Sequence, residues 1–189
     1  DKDGNYNRLA HPNIDTGMGL ERIAAIMQGV HSLFEVDTVR RVLNAVCALC
    51  DKEYGKDAKD DISIRVVTDH IRSTVFLVSD GVIPSNEGRG YVLRRLLRRA
   101  ARHGKLLGIN KLFLTDLAEV VISQSKDAYP ELLENKDYIM KIISIEEKKF
   151  YRTIDSGMIM LNNLISDMKK NVKSVFDGKT AFKLHDTYG

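Results

Sequence analysis

Helical periodicity along almost the whole chain is the feature that most limits its fold. Apolar residues recur at spacings of three and four, which is the repeat of a helix with one buried face. The stretches that show this repeat are residues 19–28, 38–54, 63–80, 90–106, 111–128, 135–171 and 180–185. The three prolines, Pro12, Pro84 and Pro130, lie between such stretches, where a helix can end. We therefore predict a mainly α fold, a multi-helix bundle that follows a short extended arm over residues 5–15, which would be either a strand remnant or irregular.

Composition places the chain among soluble globular proteins. Its 189 residues are 43% hydrophobic and 29% charged, enough for one or two packed cores. The sequence has neither an apolar run long enough to cross a membrane nor a signal peptide at its start. We expect a cytoplasmic protein. Because the chain begins without Met and ends in Asp186-Thr-Tyr-Gly189, we also expect it to be a piece of a longer chain.

Two apolar stripes are predicted to be core rather than part of a cofactor site. One comprises Ile64, Val67, Ile71, Val75 and Val78, and the other comprises Ile143, Phe150, Ile154, Met158, Leu161, Ile165 and Met168.

Neither the cysteines nor the histidines predict a metal site. Cys47 and Cys50 form a C-x-x-C pair, but no second pair or nearby histidines complete a ligand set, so we predict core thiols. For Asp69, His70 and Arg72, we favour a structural role over acid–base catalysis.

Positive charge is concentrated in one segment. Residues 89–105 hold seven of the 29 basic residues and no acid, so the rest of the chain is net acidic although the whole carries +3. Such segregation is typical of a site for a polyanion, either a nucleic acid or a phosphate group.

Within this segment a helix would carry a strip of arginines. Arg94, Arg98 and Arg102 share one face, Arg95 and Arg99 lie beside it, and Arg89 precedes them. The residues predicted to pack the other side are Val92, Leu93, Leu96, Leu97 and Ala100. The strip would contact a sugar-phosphate backbone, while Asn86 in the preceding loop could read a base edge. The alternatives are a solvated basic face and, for Asn86, a turn residue.

A second candidate site lies in Asp15-Thr-Gly-Met-Gly-Leu-Glu-Arg-Ile23. Gly17 and Gly19 at the start of a helix would expose backbone N–H groups to an anion, Arg22 would bind phosphate, and Asp15 would hold an ammonium group. The alternative is an ordinary helix start capped by Asp15 or Thr16. A dinucleotide fingerprint is excluded because Arg22 replaces its third glycine.

Four phrases in order identify a resemblance. The first, Asp15 to Ile23, resembles motif 3 of the class II aminoacyl-tRNA synthetases in its alanyl form. The second is Asp69-His-Ile-Arg72, and the fourth is Asp186-Thr-Tyr-Gly189. The third runs from Asp80 through Ser85-Asn-Glu-Gly-Arg-Gly90 to Arg95 and continues with Arg98-Arg-Ala-Ala-Arg-His-Gly104.

The resemblance implies specific roles for matching residues. Asp15 would bind the α-amino group of alanine, Gly17 and Gly19 would line the alanine and adenylate pocket, and Arg22 would be the catalytic residue that contacts ATP phosphate. Asn86 and Asp186 would grip a G·U wobble pair in the acceptor stem of tRNA(Ala).

The resemblance also implies an organisation. Residues 1–29 would end a class II catalytic domain, with the arm as a remnant of its antiparallel sheet, and residues 30–189 would form a helical tRNA-recognition domain. The whole enzyme would use Mg-ATP to ligate alanine to tRNA, with zinc only in an editing domain outside this chain. We expect the isolated chain not to form alanyl-adenylate. The alternatives are a non-enzymatic helical RNA-binding module and an unrelated nucleotide-binding enzyme.

Overall fold

The computed structural model describes residues 2–4, 6–170 and 175–188. Residues 5, 171 and 189, which belong to the predicted arm, long helix and final phrase, lie outside the described residues. The described helices are α1 Leu20–Met27, a 3-10 helix Leu33–Glu35, α2 Asp37–Cys50, α3 Ala58–Ser79, α4 Gly88–Leu106, α5 Leu114–Ser125, α6 Glu131–Glu134, α7 Lys136–Lys170 and α8 Gly178–Tyr188. The predicted mainly α fold is therefore confirmed.

The described part of the N-terminal arm has no regular structure before α1. Residues 6–19 are exposed and form no strand. A strand requires a neighbouring strand for its backbone hydrogen bonds, and the described ranges contain none.

Local capping explains where two helices depart from the predicted bounds. Helix α3 begins five residues early because the Asp57 carboxylate accepts the backbone N–H groups of Lys59 at 2.8 Å and Asp60 at 2.9 Å. These hydrogen bonds lower the pKa of Asp57. Helix α2 ends at Cys50 because Asp51 adopts a φ of 52°, which no helix continues.

The chain divides into two compact units, Asp1–Arg40 and Arg41–Gly189. In the first unit, Ser32 and Glu35 form a capping box at the 3-10 helix. The Gln28 side chain donates to Asp37 Oδ1 at 2.9 Å and accepts the Asp37 backbone N–H at 3.1 Å. These bonds fix the turn between α1 and α2.

The second unit is a helical bundle built around α3. Helix α3 packs against α4, α5, α6 and α7. Its predicted stripe is fully buried, which confirms that prediction: the five side chains are Ile64, Val67, Ile71, Val75 and Val78.

The first half of α7 belongs to this core. Beyond Phe150 the predicted stripe is half-buried at Ile154, Leu161 and Met168, and the prediction of core is wrong at its two exposed members. Ile143 and Phe150 are buried, whereas Met158 and Ile165 are exposed. Helix α7 has 35 residues and α4 has 19, so α7 is longer by roughly 24 Å. Its second half contacts α8, and together they line an apolar groove.

A buried carboxylate joins α7 to the start of α5. Glu147 is 1% exposed, and it accepts the backbone N–H of Phe113 at 3.0 Å and that of Leu114 at 3.3 Å. Phe113, the N-cap residue of α5, supplies no side-chain cap of its own. Glu147 therefore satisfies N–H groups that the helix leaves unpaired. Burial raises the pKa of this carboxyl, and the two backbone hydrogen bonds oppose that rise.

No helix within the described ranges is both long enough and apolar enough to span a bilayer.

Candidate nucleic-acid interface

The loop before α4 is held close to the start of that helix. The Ser85 hydroxyl donates to the Glu87 carbonyl at 2.8 Å. A Cβ added to Gly90 would lie 2.3 Å from both the Ile83 carbonyl oxygen and the Ser85 hydroxyl oxygen. Glycine at position 90 is therefore what lets the loop approach the helix, and this approach sets the position of Asn86.

One face of α4 packs into the bundle. Its buried members are Gly90, Leu93, Leu97, Ala100, Ala101 and Gly104. Leu93, Leu97 and Ala100 were predicted there, but Val92 is 49% exposed and Leu96 is only half-buried. Two small residues, Ala101 and Gly104, are buried instead, and at Gly104 the ring of Phe113 leaves no room for a Cβ.

A second side of α4 carries cations that bind α7. Arg94 and Arg98 donate from Nε to the same oxygen of Glu146, at 3.1 and 2.8 Å. The Arg98 guanidinium also lies 5.5 Å from the centre of the Phe150 ring. Glu146 is buried, with 6% of its surface exposed. Two of the predicted phosphate-binding arginines are therefore partners of a buried carboxylate.

Lys105 extends this side by two turns. Its ammonium lies 3.5 Å from Asp155 and 4.4 Å from the centre of the Tyr151 ring. Burial, with the charges of Glu147 and Asp155, raises the pKa of Tyr151 to about 12.

The third side of α4 is an exposed arginine face. We define it as Arg95, Arg99 and Arg102, which follow one another at helical spacings of four and three and are all exposed. Among the described residues none of the three forms an ion pair within 4 Å, and the same holds for exposed Arg89. Burial, followed by the positive charges of Arg99 and Arg102, lowers the pKa of nearby His103. No direct ion pair neutralises this face, although the charge of Arg99 is close enough to Asp69 to contribute to lowering the pKa of that carboxyl.

Asn86 and Asp186 are connected to parts of α7 that lie far apart along the helix. The exposed Asn86 accepts a hydrogen bond at Oδ1 from Arg94 Nη1, and Arg94 in turn binds Glu146. Asp186 is exposed on α8, where the adjacent His185 lines the groove with α7 residues 154–161. The step from Glu146 to those residues is roughly 12–22 Å along the helix. The structure brings the exposed arginines onto one face, and it does not bring Asn86 and Asp186 into contact.

The glycine phrase lies in the first unit. Helix α1 begins at Leu20 with Gly19 as N-cap, so the alternative in which Asp15 or Thr16 caps the helix is wrong. Asp15 and Arg22 are exposed, and an added Cβ at Gly17 would meet no described atom within 4 Å. The fold of the described residues therefore does not itself require glycine at position 17.

The remaining reactive side chains form no evident centre. Cys47 and Cys50 form no disulfide and are only half-buried, rather than the core thiols predicted, and burial raises the pKa of Cys50. The described ranges hold no group of three or more His, Cys, Asp or Glu side chains that could bind a metal ion. His70 is buried and its Nδ1 lies 2.8 Å from Asp69, a bond that lowers the pKa of that carboxyl.

Sequence reasoning missed Glu146, which pairs with Arg94 and Arg98. A signal was present, since Ile143, Glu146, Glu147 and Phe150 follow the spacing of one buried helix face. Two acids at such positions indicate a buried ionic contact.

Known proteins resemble the chain along its whole length. The family described as tRNA synthetases class II (A) matches residues 1–189. The chain is 61% identical over 189 residues to the alanine–tRNA ligase of Acetivibrio thermocellus, 58% to that of Thermoanaerobacter pseudethanolicus and 56% to that of Alkaliphilus oremlandii. Each match covers all of this chain, which spans 22% of the length of each relative.

Proposed function

The chain belongs to the class II (A) family of tRNA synthetases, and from this premise we propose that it forms part of an alanine–tRNA ligase. The complete protein would activate alanine with Mg-ATP and transfer it to tRNA(Ala). The observation that carries the proposal is identity of 56–61% across all 189 residues to proteins of that name.

Residues 1–29 would contribute motif 3 of the catalytic domain. Arg22 in the first turn of α1 would bind ATP phosphate, and Asp15 would hold the amino group of alanine. Gly17 and Gly19, which lack side chains, would let the ligand approach the backbone closely. The exposure of Asp15 and Arg22 and the open space around Gly17 support these roles. The arm would complete an antiparallel sheet whose other strands lie outside this chain.

Residues 30–189 would bind the tRNA acceptor stem. The exposed arginine face is the feature that supports this role, because exposed guanidinium groups that form no direct ion pair can each bind a phosphate. Arg94 and Arg98 would act differently from our sequence-based expectation, as the groups that fix α4 against α7. Asn86 and Asp186 would recognise the G·U pair from its minor-groove and major-groove sides.

The arginine face is expected to dominate the salt dependence of RNA binding. Changing Arg95, Arg99 and Arg102 together to glutamine should reduce the slope of log K against log salt by about 2–3, because each lost phosphate contact reduces it by about 0.9. The measurement is the affinity for an acceptor-stem hairpin at several salt concentrations. The control changes three exposed lysines of α7, Lys141, Lys148 and Lys149, to glutamine. Equal slopes for the two triple variants would contradict the assignment.

Base recognition predicts a preference for the wobble pair. The chain should bind a hairpin with G·U at the third pair about tenfold more tightly than one with G·C, because an unmatched buried polar group costs about 1–3 kcal/mol. Asn86→Ala and Asp186→Ala should each reduce that ratio towards one. Asn110→Ala, another exposed loop asparagine, is the control and should keep it. Equal affinity of the unaltered chain for both hairpins would leave only general phosphate attraction.

A further inference from the structure

Asn86 is the exposed end of a chain of side chains that starts inside the bundle. Glu146 on α7 is buried, and Arg94 connects it to the loop by donating from Nε to Glu146 and from Nη1 to Asn86. Arg98 donates to the same glutamate oxygen at 2.8 Å. The Arg94 side chain therefore has a fixed anchor, and its outer nitrogen has a fixed position relative to the loop.

This connection determines which way the Asn86 amide faces. A guanidinium has donors and no acceptor, so only the oxygen of the amide can bind it. The NH₂ group at the other end then points away from Arg94. It has no partner among the described residues, and Asn86 is exposed. A carboxamide held in this way offers its surroundings two hydrogen-bond donors.

From this geometry we infer that Glu146 is a positioning residue for RNA recognition, acting through Arg94 to keep the NH₂ group of Asn86 facing the RNA. The inference rests on the proposed function. The group that Asn86 contacts is then a hydrogen-bond acceptor in the groove of the stem, such as a base carbonyl, a ring nitrogen or a 2′-hydroxyl oxygen. Loss of the anchor frees the amide to rotate, and it then selects less well between base pairs.

Asn86→Asp tests the donor directly. The aspartate keeps the oxygen that binds Arg94, and a charged acceptor strengthens that bond, so the melting temperature should be unchanged or higher. It lacks the NH₂ group, so the ratio of affinities for G·U and G·C hairpins should fall to about one. A ratio equal to that of the unaltered chain would overturn the donor assignment.

Glu146→Gln and Arg94→Lys test the anchor. Glu146→Gln weakens the hold on Arg94, and Arg94→Lys keeps the charge while removing the second nitrogen that reaches Asn86. Both should reduce the G·U to G·C ratio by about threefold or more, which is about 0.7 kcal/mol. Circular dichroism reports folding, and if Glu146→Gln unfolds, Arg94→Lys decides the question.

Asp155→Asn is the matched control. It removes one negative charge from the same helix and weakens the contact of Lys105 with Asp155, but it leaves the connection to Asn86 intact. Asp155→Asn should therefore keep the G·U to G·C affinity ratio of the unaltered chain. If the unaltered chain binds the G·U and G·C hairpins equally, base recognition itself is overturned. If the unaltered chain prefers G·U and Arg94→Lys keeps that preference, or Asp155→Asn lowers it equally, only the positioning role is overturned.

Discussion

Replacing Glu147 by alanine is expected to lower the free energy of unfolding by about 2–4 kcal/mol. The carboxylate is the partner of two N–H groups at the start of α5, and each buried donor left without a partner costs about 1–3 kcal/mol. Water cannot replace it easily, since Glu147, Phe113 and Leu114 are all buried. Urea unfolding followed by circular dichroism measures the difference. Lys149→Ala, at an exposed position of the same helix, is the control and should change stability by less than about 0.5 kcal/mol.

The same residue gives stability a pH dependence of known sign. The pKa of Glu147 is raised in the folded state, mainly by burial, so the folded protein holds this proton more tightly than the unfolded chain. Its contribution is fully present below the ordinary glutamate pKa and is lost as pH rises through the raised value. The stability of the unaltered chain relative to Glu147→Gln should therefore increase as pH falls through that window. A difference that is constant with pH would contradict the buried, ionisable carboxyl.

Gly104→Ala is expected to destabilise the bundle by about 2–3 kcal/mol, as overpacking of a dense core does. The new Cβ would lie 2.2 Å from Cζ of Phe113 and 2.4 Å from its Cε1. Phe113 is 0% exposed, so its ring has no solvent-filled space into which to move. Alanine favours helix by about 1 kcal/mol over glycine, which offsets part of the cost. The measurement is thermal or urea unfolding.

Two further variants make that result specific. Gly178→Ala adds a methyl group to α8 where no described atom lies within 4 Å, so it should be neutral or slightly stabilising. Phe113→Leu should cost less stability in the Gly104→Ala background than in the unaltered chain, because the smaller side chain relieves the clash. Additive losses would show that Gly104 and Phe113 do not interact as described.

The core of the bundle was largely predictable from sequence because burial leaves a periodic pattern. The α3 stripe, with Ile64 and Ile71 among its members, is buried as its spacing predicts. The α7 stripe continues with the same spacing through Met158 and Ile165, yet these side chains are exposed. Periodicity reports which face of a helix is apolar, but it does not report how far along the helix the neighbouring helices extend.

The candidate interface was predictable only in part. Local composition located the basic helix, but it could not separate Arg94 and Arg98 from Arg95 and Arg99. That separation depends on Glu146, which lies 52 residues from Arg94 and 48 from Arg98. Such long-range pairs follow from tertiary packing. The strand expected in the arm would likewise need a neighbouring strand, and the described ranges contain none.

The far end of α7 lies a long way from the contacts that hold its first half. From Phe150 to Lys170 the helix extends for about 30 Å, beyond Glu146 and Glu147, which contact α4 and the start of α5. Among the described helices, α8 packs on this part of α7. A tilt of α7 by about 10° near Phe150, within the gentle curvature that long helices show, would move its C-terminal end by about 5 Å. Asp186, on α8, would move with this end of α7, whereas Asn86 is connected through Arg94 to Glu146 in its first half.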